Sequence, residues 1–196
     1  MAGQFVKMVS GIKYYQINNI RAGGLLPYKI QNNKLYILIN EEYHNKKLVN
    51  NSLGGKVDLD DHNIEETIVR EFTEETGYLL TDFKNDIYKK ITKSNDRIKL
   101  DKAKYIGILY KISKKNKKIW NILPKLYSEI FKGKLVLSHQ ESIKLKWFDV
   151  FNDDMKSNSY LLNLLIWRIR KMKKFKKFNK YKKNFKNKND GCLFLE

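Results

Sequence analysis

The chain has 196 residues, enough for one domain with its own core, and carries 40 Lys and Arg against 21 Asp and Glu, a formal charge of +19. No apolar run approaches the roughly 18 residues that a membrane-spanning helix needs, and the N-terminal MAGQFVKMVSGIKYY lacks the apolar core of a secretory signal. A single cysteine, Cys192, excludes an internal disulfide and fits a reducing compartment, so the expectation is an intracellular, cytoplasmic protein. The charge is unevenly spread. Twelve Lys or Arg and no acid fall between Arg168 and Lys188, which leaves 28 basic and 21 acidic residues, or +7, for the rest. Such a stretch attracts polyanions, nucleic acid first and an anionic membrane surface second. The abundance of Lys, Asn and Ile is also what an AT-rich genome supplies without selection for binding.

In chain order, residues 20–30 (IRAGGLLPYKI) read as an extended segment with a kink at Gly23 and Gly24, and residues 35–40 (LYILIN) as a buried strand. Gln31, Asn32 and Asn33 supply turn residues between them, which predicts a hairpin. Residues 41–52 read as a polar loop. A helix follows, with Asn63 as N-cap and Glu66 at the capping-box spacing. Ile68, Val69, Phe72 and Thr76 form its packing arc, and Gly77 closes it in a left-handed conformation. Glu71, Glu74 and Glu75 stand at i, i+3 and i+4, a spacing that sets three like charges on one face. Such repulsion makes sense when something strongly cationic sits among them, and hard ions such as Mg²⁺ take oxygen ligands of this kind.

The segment GGKVDLDDHNIEETIVREFTEETGY, from Gly54 to Tyr78, resembles the signature of the Nudix hydrolases. That signature runs Gly, five residues, Glu, seven residues, Arg-Glu-U-x-Glu-Glu-x-Gly-U, with U bulky and apolar, and Arg70 through Tyr78 fills its second half. The first half departs: counted from Gly55, Arg70 lies one residue too far on, and the first signature Glu falls on Asp61 or His62. The resemblance implies an α/β fold, a Nudix-type α/β/α sandwich with a mixed sheet, here with a basic C-terminal helix and tail. It also implies hydrolysis of a diphosphate linkage with Mg²⁺ or Mn²⁺. Glu71 and Glu75 would be the principal metal ligands, Glu74 would share the metal or a bound water, and the Gly54 carbonyl would add a ligand. Arg70 would hold the carboxylates in place. A further acid from a later loop is common in the family; Glu141, in SHQESIKLKWFDV, is the candidate catalytic base, with His139 as the alternative. Asp149, Asp153 and Asp154 read as capping or loop acids, and Arg21 as a substrate-groove residue.

Beyond the signature, residues 87–91 and 103–112 read as strands, and 114–118 as a basic turn. Residues 119–131 read as a helix with Ile122, Leu126 and Ile130 as its stripe, and 134–137 and 143–148 as two short extended pieces. Residues 158–178 read as a helix whose stripe is Leu161, Leu164, Leu165 and Ile169. The organisation expected is a Nudix domain over 1–157, a packed C-terminal helix over 158–178 and a basic, flexible tail over 179–196.

The signature does not name the substrate. The run GGKVDLDD followed by ETIVREFTEETG is more loosely similar to Nudix proteins of large DNA viruses, of the mRNA-decapping type, which would place the protein in the host cytoplasm. Phe175, Phe178, Tyr181 and Phe185 are interleaved among the C-terminal lysines, which suits either base stacking on RNA or an amphipathic helix docked on the body. The leading expectation is a decapping pyrophosphohydrolase that meets RNA through its basic C-terminal region. The alternatives are a hydrolase of small nucleotides (dNTPs, ADP-ribose, dinucleoside polyphosphates) and a non-catalytic RNA-binding protein of the same fold.

Overall fold

The computed structural model describes residues 7–9, 12–14, 16–44, 47–131 and 142–178. The expected hairpin is formed by β3 (Ala22–Gln31) and β4 (Lys34–His44), after a separate pair of short strands, β1 (Lys7–Val9) and β2 (Ile12–Tyr14). Asn32 and Asn33 turn it with φ of 49° and 56°. Positive φ at both central residues is the two-residue turn whose twist matches the flanking strands, and asparagine tolerates it. β3 and β4 stay paired only over 28–31 and 34–37. Beyond that they part, and β5 (Lys47–Asn51) pairs with β4 while β6 (Leu53–Lys56) pairs with β3, both antiparallel. The 41–52 segment is therefore strand for most of its length, not the polar loop expected. Its polar side chains find partners across the strands, Asn51 donating to Glu42 at 2.8 Å, so polarity there does not oppose pairing.

The far edge of β3 carries β8 (Tyr105–Lys111) in parallel, and β7 (Arg97–Leu100) extends the sheet antiparallel to it. β9 (Ser142–Asp149) covers the far edge of β4. Gly23 and Gly24 make no kink; they lie in unbroken strand between β6 and β8. Gly24 has a different task, because a Cβ there would lie 2.0 Å from Tyr105 Oη and 2.7 Å from the Leu53 carbonyl. Gly24→Ala is expected to cost about 2–3 kcal/mol by overpacking, which is roughly 6–10 °C in Tm for a chain of this size. Thermal unfolding checks this, and an unchanged Tm would show that β6 moves aside freely.

Side chains alternate across the sheet, so each strand feeds two cores. Leu25, Leu38, Ile108 and Leu145 face one side, where α1 (Ile64–Glu75), α2 (Lys84–Thr92) and α3 (Lys117–Phe131) pack. Leu26, Ile37, Ile39 and Phe148 face the other, covered by α4 (Tyr160–Lys171). The result is the mixed-sheet α/β/α sandwich that the resemblance implied. Among the described residues no helix is long and apolar enough to cross a membrane.

Three local expectations change. Residues 87–91 are helix, not strand: Ile87 and Ile91 are one helical turn apart, and both are buried against the first core. The buried face of α3 is Trp120, Leu123 and Tyr127, while Ile122 is 55% exposed. The ring of Trp120 lies between Phe72 and Tyr110 at centroid distances of 5.8 and 5.7 Å, and that aromatic stack sets the helix rotation. The C-terminal helix ends at Lys171, because Met172 is extended with ψ of 130°, and a 3-10 turn (Lys173–Phe175) follows. Its buried face is Leu162, Leu165, Ile166 and Ile169, so Leu161 and Leu164 only border the core. Phe175 and Phe178 are buried in the second core, which leaves neither ring open to a base. Tyr181, Phe185 and the 134–137 segment lie outside the described residues.

Candidate active site

Helix α1 is pinned at both ends, which fixes the direction of every side chain along it. At the start, Asn63 accepts the Glu66 amide proton at 2.9 Å, and Glu66 in turn accepts from the His62 amide at 2.8 Å. At the end, Gly77 and Tyr78 both take φ of 61°, and their amides donate to the carbonyls of Glu74 and Thr73 at 2.8 and 2.9 Å. This double bond pair is a Schellman closure. Ile68, Val69, Phe72 and Thr76 are all buried, as their spacing predicted, and Arg70, Glu71 and Glu74 point along a half-exposed flank.

Arg70 organises that flank. Its Nε and Nη2 donate to the two oxygens of Asp61 at 3.2 and 2.9 Å, and Nη2 also reaches the Lys56 carbonyl at 2.9 Å. Its Nη1 donates to Glu71 Oε1 at 2.9 Å and Glu74 Oε2 at 3.3 Å. One guanidinium thus ties three carboxylates to the strand that precedes the helix, a task its planar fork of donors suits. Asp61 is buried and also accepts from the Thr67 hydroxyl at 2.9 Å and the Asp58 amide at 2.8 Å. Burial alone would raise the Asp61 pKa, but these donors and the Arg70 charge overcome it and hold the carboxyl below its usual range. Arg70 shows the converse: burial opposes its charge, and Asp61 and Glu71 more than offset that, raising its pKa further. His62, by contrast, exposes 86% of its side chain and meets the cap residue Glu66 at 3.2 Å. Of the two residues at the place of the first signature Glu, Asp61 is the one built into the cluster.

Gly55 shows how tightly the strand meets the helix, since a Cβ on it would lie 2.2 Å from Glu71 Oε2. Gly54, one residue earlier, pairs with Gly24 across the sheet. Arg21 holds the opposite side of this corner through its backbone: its carbonyl accepts from the Val57 amide at 2.9 Å, and its amide donates to the Lys104 carbonyl at 2.7 Å.

Glu75 is only 8% exposed and turns the other way, toward β4, where Asn40 Nδ2 donates to its Oε1 at 3.2 Å. The same amide lies 3.4 Å from Glu42 Oε2, and Asn51 Nδ2 donates to Glu42 Oε1 at 2.8 Å. Ser159, before α4, closes the chain of contacts by donating to Asn51 Oδ1 at 2.9 Å. Beneath lies a fully buried hydroxyl pair, Tyr105 Oη and Ser52 Oγ, 3.0 Å apart. Burial raises the Tyr105 pKa, and the charges of Glu75 and Glu71 push the same way, so the phenol stays neutral. Asn40, Glu42 and Asn51 were missed in the sequence because their segment read as the end of a strand and a loop. The alternation Leu38, Asn40, Glu42 carries the signal: three residues on one strand face, one apolar and two polar.

Glu141 and His139 lie outside the described residues. Asp149, Asp153 and Asp154 accept backbone amides within the turn that follows β9, from Phe151 and Asn152, from Asp149, and from Lys156.

The donors around α1 are all oxygens. Among the described residues no group of three or more histidine, cysteine, aspartate or glutamate side chains is gathered closely enough to hold a metal ion. Glu71 and Glu74 share the Arg70 Nη1 proton donor, and carboxylate oxygens of this kind are what Mg²⁺ or Mn²⁺ takes, ions that keep waters and share a few carboxylates with substrate phosphates.

No family model matches the chain, and no curated protein matches it. Among solved structures it is similar to a C. elegans Ap4A hydrolase in a binary complex, with 18% identity and a TM-score of 0.44 over 76% of this chain and 93% of that chain. It is also similar to NrtR from Shewanella oneidensis, with 13% identity and a TM-score of 0.39 over 76% of this chain and 62% of that one.

Proposed function

We propose that this protein is a divalent-metal-dependent pyrophosphohydrolase of the Nudix type, cleaving a nucleoside diphosphate from the moiety it is linked to, with the 5′ cap of mRNA as the leading substrate. The observation that carries the reading is the Arg70 clamp: a half-buried guanidinium holds Glu71 and Glu74 in place on a helix pinned at both ends. An isolated acidic surface has no reason to be fixed in this way.

Glu71, Glu74, Glu75 and the Gly54 carbonyl would hold Mg²⁺ or Mn²⁺, whose contribution when bound is to neutralise phosphate charge and lower the pKa of a water. The chain's own residues do the positioning. Arg70 keeps Glu71 and Glu74 oriented, Gly55 lets the strand approach Glu71, and Asn40 aims Glu75. Glu141 is retained as the proposed base, and Arg21 as a groove residue. The cap reading draws on the basic charge at the C-terminal end, which suits a substrate with a polyanionic body.

The test is incubation of wild type and Glu75→Gln with cap-labelled RNA and a panel of dNTPs, ADP-ribose and dinucleoside polyphosphates, with Mg²⁺ or Mn²⁺. Wild type is expected to release the capped nucleotide diphosphate, and Glu75→Gln to be slower by about a thousandfold. Cleavage of small nucleotides with capped RNA untouched would move the substrate to that class. Absence of metal-dependent turnover on every substrate would overturn the enzyme reading in favour of a binding protein.

A further inference from the structure

The core-facing side of α4 is apolar, but its opposite side is not an ordinary solvated surface. Tyr160 is 79% exposed and Trp167 is 50% exposed, two large aromatic rings left in water. They stand seven residues apart, so they share one helix face at a separation of about 10 Å along the axis. Arg168 and Lys171 are exposed beside Trp167, with their charges 5.3 and 5.1 Å from its ring centroid. Neither has a carboxylate partner among the described residues. Their neighbours differ: Arg170 donates to the Val150 carbonyl at 2.6 Å, and Lys174 pairs with Asp96 at 2.5 Å. Residues 160–178 contain seven Lys or Arg and no acid.

We propose that this face of α4 is a platform for single-stranded nucleic acid, with Trp167 stacking on a base and Arg168 and Lys171 holding the adjoining phosphates. Every base has a face that an indole can meet, whereas duplex bases are already stacked and would offer only phosphates. An exposed cation–π contact is weaker than a base on an indole, so either cation can leave the ring for a phosphate as the base arrives. A membrane surface suits the face less well. The stripe that would enter lipid (Leu162, Leu165, Ile166, Ile169) is buried against the sheet.

The place of the platform extends the proposed function, and its role in substrate delivery rests on that reading. Tyr160 directly follows Ser159, which bonds to Asn51, which bonds to Glu42 beside Glu75. A strand lying along α4 would reach the carboxylates only by passing from the start of the helix round the β5 edge, where Asn51 and Glu42 lead to Glu75. This assigns the body of an RNA substrate to α4 and its 5′ end to α1.

Fluorescence anisotropy of a labelled single-stranded RNA tests the platform in the full chain, independently of turnover. Trp167→Ala is expected to raise Kd by about tenfold, and Trp167→Phe by much less. The Trp167→Ala ratio should persist as salt is raised, because stacking is not a counterion effect. Arg168→Ala with Lys171→Ala should instead lower the slope of log Kd against log salt by about 1.4. Wild-type affinity in Trp167→Ala would overturn the proposal, as would duplex RNA bound equally well with the same dependence on Trp167. Phosphatidylserine vesicles bound through Trp167, with RNA affinity indifferent to it, would assign the face to a membrane and also overturn it. If the hydrolase reading fails while these RNA results hold, the platform stands and only its role in delivering substrate falls.

Discussion

Arg70→Ala is expected to lower stability by about 3 kcal/mol at neutral pH, because it leaves the buried Asp61 carboxylate without its cationic partner. Asp61 exposes only 6% of its side chain, and Arg70 supplies both a two-point hydrogen bond and the nearest positive charge. In a chain of this size the loss is roughly 10 °C in Tm. Its pH dependence identifies the cause. The Asp61 pKa is depressed in the folded state, so its contribution is present above the unfolded value of about 3.9 and disappears as pH falls through the folded value. Without Arg70, burial dominates and the Asp61 pKa rises, so the variant regains stability on protonation. The gap between wild type and Arg70→Ala is therefore widest at neutral pH and narrows toward pH 3. Arg70→Lys recovers only part of it, since an ammonium cannot span both Asp61 oxygens while also reaching Glu71. Melting curves across pH measure all of this, and parallel curves for wild type and Arg70→Ala would dismiss the clamp.

Gly55→Ala separates the chemistry from the fold. Its new methyl would fall 2.2 Å from Glu71 Oε2 and 2.3 Å from Cδ, and these atoms end a flexible side chain. The cheapest relief is for the Glu71 carboxylate to swing away, with the backbone unmoved. A displacement of about 1 Å in a catalytic group costs about a hundredfold in rate, so kcat/KM should fall by that amount while Tm stays within about 2 °C. Gly24→Ala should do the reverse, because one of its clashes is with backbone. Full activity in Gly55→Ala would mean that the position of Glu71 against this strand is not needed for turnover.

The legibility of this chain followed the range of its interactions. Asn63, Glu66 and Gly77 act within a turn or two of helix, so their roles could be read from spacing and appear as expected. The buried arc of Ile68, Val69, Phe72 and Thr76 and the hairpin turn at Asn32 and Asn33 are equally local. The strand assigned to 87–91 failed because Ile87 and Ile91 suit either one helix face or a short apolar strand, and packing beneath α1 chose the helix. The rotation of α3 was hidden for a similar reason: three isoleucine and leucine positions and three aromatic and leucine positions compete, and the stack of Phe72, Trp120 and Tyr110 decides.

By itself the sequence determined one helix: where it starts, where it stops, and that Glu71 and Glu74 share a flank; the one face expected for all three acids does not hold, because Glu75 turns toward β4. Periodicity and capping are set by neighbours three and four residues away, so no distant contact was needed. Tertiary structure alone decided that Arg70 reaches back to Asp61 and Lys56, that Gly55 lies against Glu71, and that Asn40 links Glu75 to Glu42 and Asn51. It also decided that Phe175 and Phe178 are core and that Trp167 is surface, although all three lie in one basic stretch. Those outcomes depend on which strands part and which fill the gap, a long-range choice made by burial of the whole sheet.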